Sequence, residues 1–105
     1  LIPELVALGG YFSFNAGQLN LNKSKAPERI RAVPADRLLI ETDAPDMLPP
    51  PELRSYELID SVSGYSITHP ATLIDAYTAI AKIHRSTLDT LSNQVAQNFK
   101  AYFIV

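Results

Sequence analysis

The stretch LLIETDAP, residues Leu38–Pro45, constrains the fold of this 105-residue chain more than any other. It begins with three consecutive apolar residues and ends with two carboxylates, Glu41 and Asp43. Because side chains alternate along a β-strand, Leu39, Glu41 and Asp43 are predicted to share one face. Apolar residues on both faces at the start indicate a strand that is covered on both sides. Such strands are typical of the parallel sheets of α/β proteins.

The acidic end of this stretch needs a partner, because burying Glu41 and Asp43 as bare anions would cost several kcal/mol. A metal ion, a cationic group or an opening to water is therefore expected there. Pro45 cannot continue a central strand, which places Asp43 at the carboxyl edge of the predicted strand. Parallel sheets carry their active sites at that edge.

The flanking sequence predicts one α/β segment, residues 1–105, with a strand–helix–strand unit whose long crossover makes the two strands parallel. Residues 46–68 are predicted to be irregular. The aromatic residues Tyr77, Phe99, Tyr102 and Phe103 lie on helical stripes and are predicted to be core. The other predicted elements are a helix over residues 1–8 stopped at Gly9-Gly10, a strand at Tyr11–Asn15, a helix over about Ala26–Val33, and two helices at Pro70–His84 and about Leu88–Tyr102.

The composition narrows the class of protein. Hydrophobic residues make up 47% of the chain and charged residues 19%, which favours a packed core over disorder. Nine Lys and Arg against eleven Asp and Glu give no overall basic field of the kind that nucleic-acid-binding proteins carry. The chain has no Cys, so disulfides, thiolate zinc sites and Cys nucleophiles are excluded. No apolar run approaches the roughly 18 residues of a membrane span, and a cytoplasmic protein without membrane association is expected.

The chain begins at Leu1, and its single Met is Met47. This beginning predicts a processed chain or a part of a longer protein.

The segments GYFSFN (Gly10–Asn15) and RAVPADRLLIETDAP (Arg31–Pro45) together resemble the C-terminal part of TatD-type metal-dependent deoxyribonucleases. The later pairs His69-Pro70 and Asn98-Phe99 agree with this resemblance, which runs in register over nearly the whole chain. It implies that the two strands are the last two of a (β/α)₈ TIM barrel and that the final helices close it. The barrel would be incomplete in this chain.

In that family an early His-x-His pair, a Glu, two further His and the Asp of the last strand hold two divalent metal ions. Only the last ligand matches a position here, and the resemblance implies that Asp43 binds metal and helps orient or deprotonate the attacking water. On spacing alone, Asp43 could instead cap a turn at a strand end. One carboxylate suits Mg, Mn and Zn alike. Glu41 either orients a metal ligand or is a structural carboxylate paired with Lys or Arg.

Basic residues near this edge are candidates for holding substrate phosphates. Lys23 follows the first strand and Arg54 lies in the long loop after the second, where the family usually has an Arg. The alternative for Lys23 is that it is an ordinary solvated charge. His69 and His84 do not form a metal-ligand pair at helical spacing. They are expected to serve the entry turn and the C-terminal end of one helix.

The resemblance implies a metal-dependent hydrolase that cleaves phosphodiester bonds in DNA when the protein is complete. This chain alone is expected to be inactive, because it offers one convincing ligand where catalytic metal sites usually have three. The alternative is a non-catalytic oligomerisation or interaction module that self-associates through exposed sheet edges.

Overall fold

The computed structural model describes residues 1–19 and 25–104. Its centre is a two-stranded parallel sheet of β1 (Phe12–Phe14) and β2 (Leu38–Ile40), in which Phe12 lies opposite Leu38 and Phe14 opposite Ile40. Helix α1 (Ile2–Ala7) precedes β1 and is followed by Gly9 in the left-handed conformation, with φ of 84°. The predicted parallel pair and the glycine stop are confirmed.

The crossover between the strands contains helix α2 (Ala26–Ala32), with Pro27 in its first turn, where a missing N–H costs nothing. The helix buries Ile30, and Val33 follows it into the core beside Leu38 of the strand. A short 3₁₀ turn (Ala35–Arg37) then leads into β2. This apolar edge of α2 therefore packs the crossover against the sheet.

Two C-terminal helices cover the core, α3 (Leu73–Ile83) and α4 (Leu88–Phe103). Ile80 of the first, with Leu91 and Val95 of the second, belongs to the same buried cluster. A 3₁₀ turn at Pro70–Thr72 precedes α3, so the α-helix begins three residues later than predicted. The side chain of Thr87 accepts a hydrogen bond from the Thr90 N–H and caps α4, as its sequence indicates.

The prediction that the aromatic stripe of α4 is core is wrong at its C-terminal end. Phe99 is 51% exposed, Tyr102 54% and Phe103 59%. The buried position on this turn of the helix is Asn98. Its side-chain amide donates hydrogen bonds to the Ala35 and Leu38 carbonyls, just before and at the start of β2. The aromatic rings consequently contact one another, at 4.7 Å between the ring centroids of Phe99 and Phe103. Tyr77 of α3 is half-buried, and this burial raises the pKa of its phenol.

Strand β2 is shorter than predicted. It ends at Ile40, although the Glu41 N–H still donates to the Phe14 carbonyl at 2.9 Å. The chain then turns, because the Thr42 hydroxyl accepts a hydrogen bond from the Ala44 N–H. The strand face shared by Leu39 and Glu41 therefore does not continue to Asp43.

A small antiparallel hairpin, β3 (Leu58–Ile59) and β4 (Ser66–Ile67), lies within the stretch predicted to be irregular. Its loop is closed by a hydrogen bond from the Asp60 N–H to the Tyr65 carbonyl at 2.9 Å, with Gly64 at a φ of 75°. Across the part of the chain that the structure describes, no helix has the length and apolar content needed to cross a bilayer.

Candidate functional site

The carboxylate of Asp43 lies just beyond the carboxyl end of β2, beside the residue that follows β1. The side-chain amide of Asn15 donates from Nδ2 to Asp43 Oδ2 at 3.0 Å. Asn15 is 3% exposed, whereas Asp43 is exposed to solvent. The contact therefore joins a buried amide to a carboxylate at the surface.

A reciprocal pair of hydrogen bonds fixes the Asn15 side chain. Its Oδ1 accepts from the Gln18 N–H at 3.1 Å, and Gln18 Oε1 accepts from the Asn15 N–H at 3.0 Å. This is a capping box on the short 3₁₀ turn Ala16–Gln18. The turn after β1 thus holds the amide that faces Asp43.

The loop after β2 packs closely on this turn. A Cβ atom on Gly17 would lie 2.7 Å from the Met47 carbonyl oxygen, which leaves room for glycine only. The same loop accepts a hydrogen bond at the Pro45 carbonyl from the Thr68 N–H, at 2.8 Å. Thr68 is 2% exposed, and its Oγ1 has no hydrogen-bond partner among the residues that the structure describes.

These segments line a narrow cleft whose polar residues include Asn15, Glu41, Asp43 and Thr68. Exposed carboxylate oxygens are suitable ligands for a hard divalent cation. Within residues 1–19 and 25–104, however, no group of three or more His, Asp or Glu side chains could hold a metal ion. Asp43 therefore fits as one ligand of a metal centre, and the described residues do not form a whole centre.

The structure places Glu41 in the cleft with Asp43, directly after β2 and exposed to solvent. Arg54 does not line the cleft. Its Nε donates to the Pro49 carbonyl, which ties the guanidinium to its own loop. Lys23 lies outside the residues that the structure describes, so its predicted role stays a prediction.

Both histidines lie where the sequence indicates. His69 caps the 3₁₀ turn before α3, with Nδ1 accepting from the Ala71 N–H at 2.9 Å, and its ring stacks on Tyr56. His84 ends α3, and its Nε2 is 2.7 Å from the Ile30 carbonyl oxygen. These contacts are structural.

The sequence does not identify Asn15 as a site residue, because its pattern places Asn15 at the end of a predicted strand. A signal was present: Asn followed three residues later by Gln is typical of a capping box. Asn15 and Asp43 are 28 positions apart in the chain. Their contact depends on the register of the two strands, which a local sequence pattern does not show.

Comparison with known proteins agrees with this architecture. The sequence profile of the family described as "TatD related DNase" matches residues 1–104. An uncharacterized metal-dependent hydrolase of Buchnera aphidicola subsp. Baizongia pistaciae (strain Bp) is 31% identical over 99 residues, which cover 94% of this chain and 33% of that protein.

Two solved structures show the same fold over 99% of the chain. YjjV, a TatD homologue from Escherichia coli K12, has a TM-score of 0.75 at 22% identity, with 36% of its own length covered. A TatD family hydrolase from Entamoeba histolytica has a TM-score of 0.74 at 18% identity, with 38% of its length covered. The chain thus spans about a third of the length of these proteins. Its match to the family profile from end to end shows that the chain belongs to the TatD-related DNase family.

Proposed function

We propose that this chain supplies the C-terminal part of a metal-dependent hydrolase that cleaves phosphodiester bonds in DNA, with Asp43 as a metal ligand. The observation that carries the proposal is the position of Asp43, an exposed carboxylate at the carboxyl edge of a parallel strand in a chain of this family. In the complete protein β1 and β2 would be the last two strands of a (β/α)₈ barrel. Active sites of such barrels lie at this edge.

A bound divalent ion would supply a water of lowered pKa and would stabilise negative charge on the phosphate. Asp43 would contribute one carboxylate oxygen to that ion and accept a hydrogen bond from the attacking water. Glu41, in the same cleft, would orient the neighbouring groups. Mg, Mn and Zn all accept carboxylate ligands, and the proposal extends to each of them.

Substitution of Asp43 tests the proposal in the complete protein. Asp43→Asn should lower metal-dependent cleavage of a labelled DNA oligonucleotide by roughly 100-fold or more, since removing a metal ligand removes several kcal/mol of charge stabilisation. Asp46→Asn is the matched control, because Asp46 is an exposed acid of the same loop. Activity that survives Asp43→Asn, or that falls equally in both variants, would refute the role of Asp43.

The chain alone is proposed to be inactive, because the described residues supply Asp43 and no metal-ligand cluster. The purified 105-residue chain should therefore cleave DNA no faster than a metal-only blank with Mg²⁺, Mn²⁺ or Zn²⁺. Robust cleavage that Asp43→Ala abolishes would show that the chain is an enzyme by itself.

Arg54 and Lys23 are proposed to hold substrate phosphates. The Nε of Arg54 is engaged with Pro49, and its terminal guanidinium nitrogens would make the contact. Phosphate contacts add affinity that weakens with salt. Arg54→Ala should therefore weaken DNA binding by the complete protein and flatten the salt dependence of that binding. An unchanged salt dependence would exclude Arg54.

A second candidate function is an interaction module that self-associates through its open sheet edges. The observation that favours it is an open groove of about 650 Å³ beside β2, lined by Leu39, Ile40 and the exposed aromatic residues of α4. Sedimentation of the chain with Phe99→Ser and Phe103→Ser substitutions tests it. Assembly that these changes abolish would support the module, and a monomer at all concentrations would exclude it.

A cytoplasmic location is proposed for either function, since the chain has no Cys.

A further inference from the structure

We infer that Asn15 is a positioning residue, which holds the Asp43 side chain in one rotamer and leaves Oδ1 of the carboxylate available to a ligand. The inference deepens the proposed function and rests on it, because it concerns the orientation of the proposed metal ligand. It starts from the 3.0 Å hydrogen bond between Asn15 Nδ2 and Asp43 Oδ2.

The orientation of the Asn15 amide is determined by its surroundings. Its Oδ1 accepts the Gln18 N–H, so a flipped amide would place an NH₂ group against another donor. The amide therefore has one orientation, with its donor toward Asp43. Asn15 is also 3% exposed, which leaves the side chain little room to change rotamer.

The turn that carries Asn15 is attached to the loop of Asp43 on both sides. Before it, the Phe14 carbonyl accepts the Glu41 N–H at 2.9 Å. After Asn15, within the turn, Gly17 packs against the Met47 carbonyl so closely that a Cβ would lie 2.7 Å away. The position of the carboxylate is thus set relative to β1 as well as to its own strand.

A fixed carboxylate has a functional advantage. An exposed Asp without a partner samples several rotamers. Binding a ligand then costs the conformational entropy that the side chain loses when it is ordered. A hydrogen bond to a charged group is stronger than one between neutral groups, which makes the Asn15 amide an effective restraint. Sites ordered before binding lose less free energy when the ligand arrives.

Asn15→Asp is the decisive variant. The new carboxylate can still accept the Gln18 N–H and cap the turn, and in its ionised form it has no proton to donate to Asp43. Gln18→Ala is the control for the turn, because it removes one bond of the capping box and retains the Asn15 amide. Asn15→Ser is a second variant, since serine also caps such turns but has a shorter side chain.

The readout is the rotamer of Asp43, measured in the isotopically labelled chain from three-bond couplings between Asp43 Cγ and its backbone nitrogen and carbonyl carbon. Wild-type chain and Gln18→Ala should show the couplings of one rotamer, and the two variants that lack the Asn15 amide should show averaged values. In wild-type chain the Asn15 side-chain amide should also exchange its protons at least about tenfold more slowly than the exposed Asn93.

Averaged couplings in the wild-type chain, or the wild-type rotamer retained in both Asn15→Asp and Asn15→Ser, would overturn the inference. Neither result depends on hydrolysis. If the couplings behave as expected and the complete protein cleaves no DNA, the proposed function fails while the orienting contact is supported. If Asp43-dependent cleavage is found and the couplings do not change, the positioning role alone fails.

Discussion

The side chain of Asn98 in helix α4 donates from Nδ2 to the carbonyl oxygen of Leu38, the first residue of β2, at 2.8 Å. The same nitrogen donates to the Ala35 carbonyl at 2.8 Å, and Asn98 Oδ1 accepts from Gln94 Nε2 at 2.8 Å. Asn98 is 3% exposed. A buried amide with its donors and acceptor engaged thus joins the last helix to the start of the strand that leads to Asp43.

Replacing Asn98 by Ala should lower the free energy of unfolding by about 1–3 kcal/mol, because the carbonyl of the fully buried Leu38 loses its donor. Urea denaturation followed by circular dichroism measures the change. Asn93→Ala, at an exposed position of the same helix, is the control and should change stability by no more than about 0.5 kcal/mol. Equal losses in the two variants would mean that the contact does not stabilise the fold.

The loop that carries Arg54 is anchored on helix α3. The backbone N–H of Ser55 donates to Asp75 Oδ2 at 2.9 Å, and the Ser55 hydroxyl donates to Asp75 Oδ1. Asp75→Asn should lower the free energy of unfolding by about 1 kcal/mol and speed amide exchange at Ser55, because these bonds to a carboxylate are weakened.

Asp89→Asn controls for charge at a helix N-terminus, since Asp89 lies in the first turn of α4 as Asp75 lies in that of α3. It should leave exchange at Ser55 unchanged. Faster exchange in both variants would show that the effect comes from helix charge rather than from the anchor.

The sequence predicts the elements that depend on local patterns. The strand pair, the crossover helix and the two final helices follow from apolar spacing, from Pro27 in a first turn and from a capping Thr87. The hairpin is not predicted, because each of its strands has two residues and no periodicity can show in so short a segment. Its stability depends on the turn at Asp60–Tyr65.

The long-range contacts are the part that the sequence does not predict. Asp43 is found from its own strand, whereas its hydrogen bond to Asn15 depends on how β1 and β2 align. Asn98 is one of the residues that carry the family resemblance. No local sequence pattern, however, predicts that its side chain donates to two backbone carbonyls. Phe99 and Phe103 fit a helical stripe and are nevertheless exposed, since a stripe does not reveal which of its turns face other elements.

The hairpin loop contains a carboxylate whose ionisation is coupled to its structure. The Ser63 hydroxyl donates to Asp60 Oδ2 at 2.8 Å and the Val62 N–H to Oδ1 at 3.2 Å, and these bonds hold the pKa of Asp60 below its ordinary value of 3.8. The charged form is therefore the form that the folded loop favours. The contribution of this charged form to the stability of the folded state is present above pH 3.8. It is lost as the pH falls through the lowered pKa.

Ser63→Ala should raise the pKa of Asp60 toward 3.8, because the Ser63 hydroxyl is the largest cause of the shift. A titration of the side-chain carboxyl carbon by NMR measures it. Ser61→Ala, an exposed serine of the same loop, should leave the pKa of Asp60 unchanged. A pKa of Asp60 that does not respond to Ser63→Ala would show that the hydroxyl does not bind the carboxylate in solution.

The close packing of Gly17 on Met47 predicts the effect of one methyl group. In Gly17→Ala the added Cβ would lie 2.7 Å from the Met47 carbonyl oxygen and 3.1 Å from Asn15 Oδ1, so the two loops must separate. The free energy of unfolding should fall by about 1–3 kcal/mol, as for other overpacked positions, and the backbone amide signals of Asp43 and Ala44 should shift.

Gly64→Ala is the control for this variant. Nothing lies within 4 Å of a Cβ at Gly64, but its φ of 75° disfavours alanine, which costs about 1 kcal/mol. That variant should perturb the hairpin and leave the Asp43 signal in place. A shift of the Asp43 signal in Gly64→Ala, or its absence in Gly17→Ala, would mean that the turn after β1 does not hold the loop that carries Asp43.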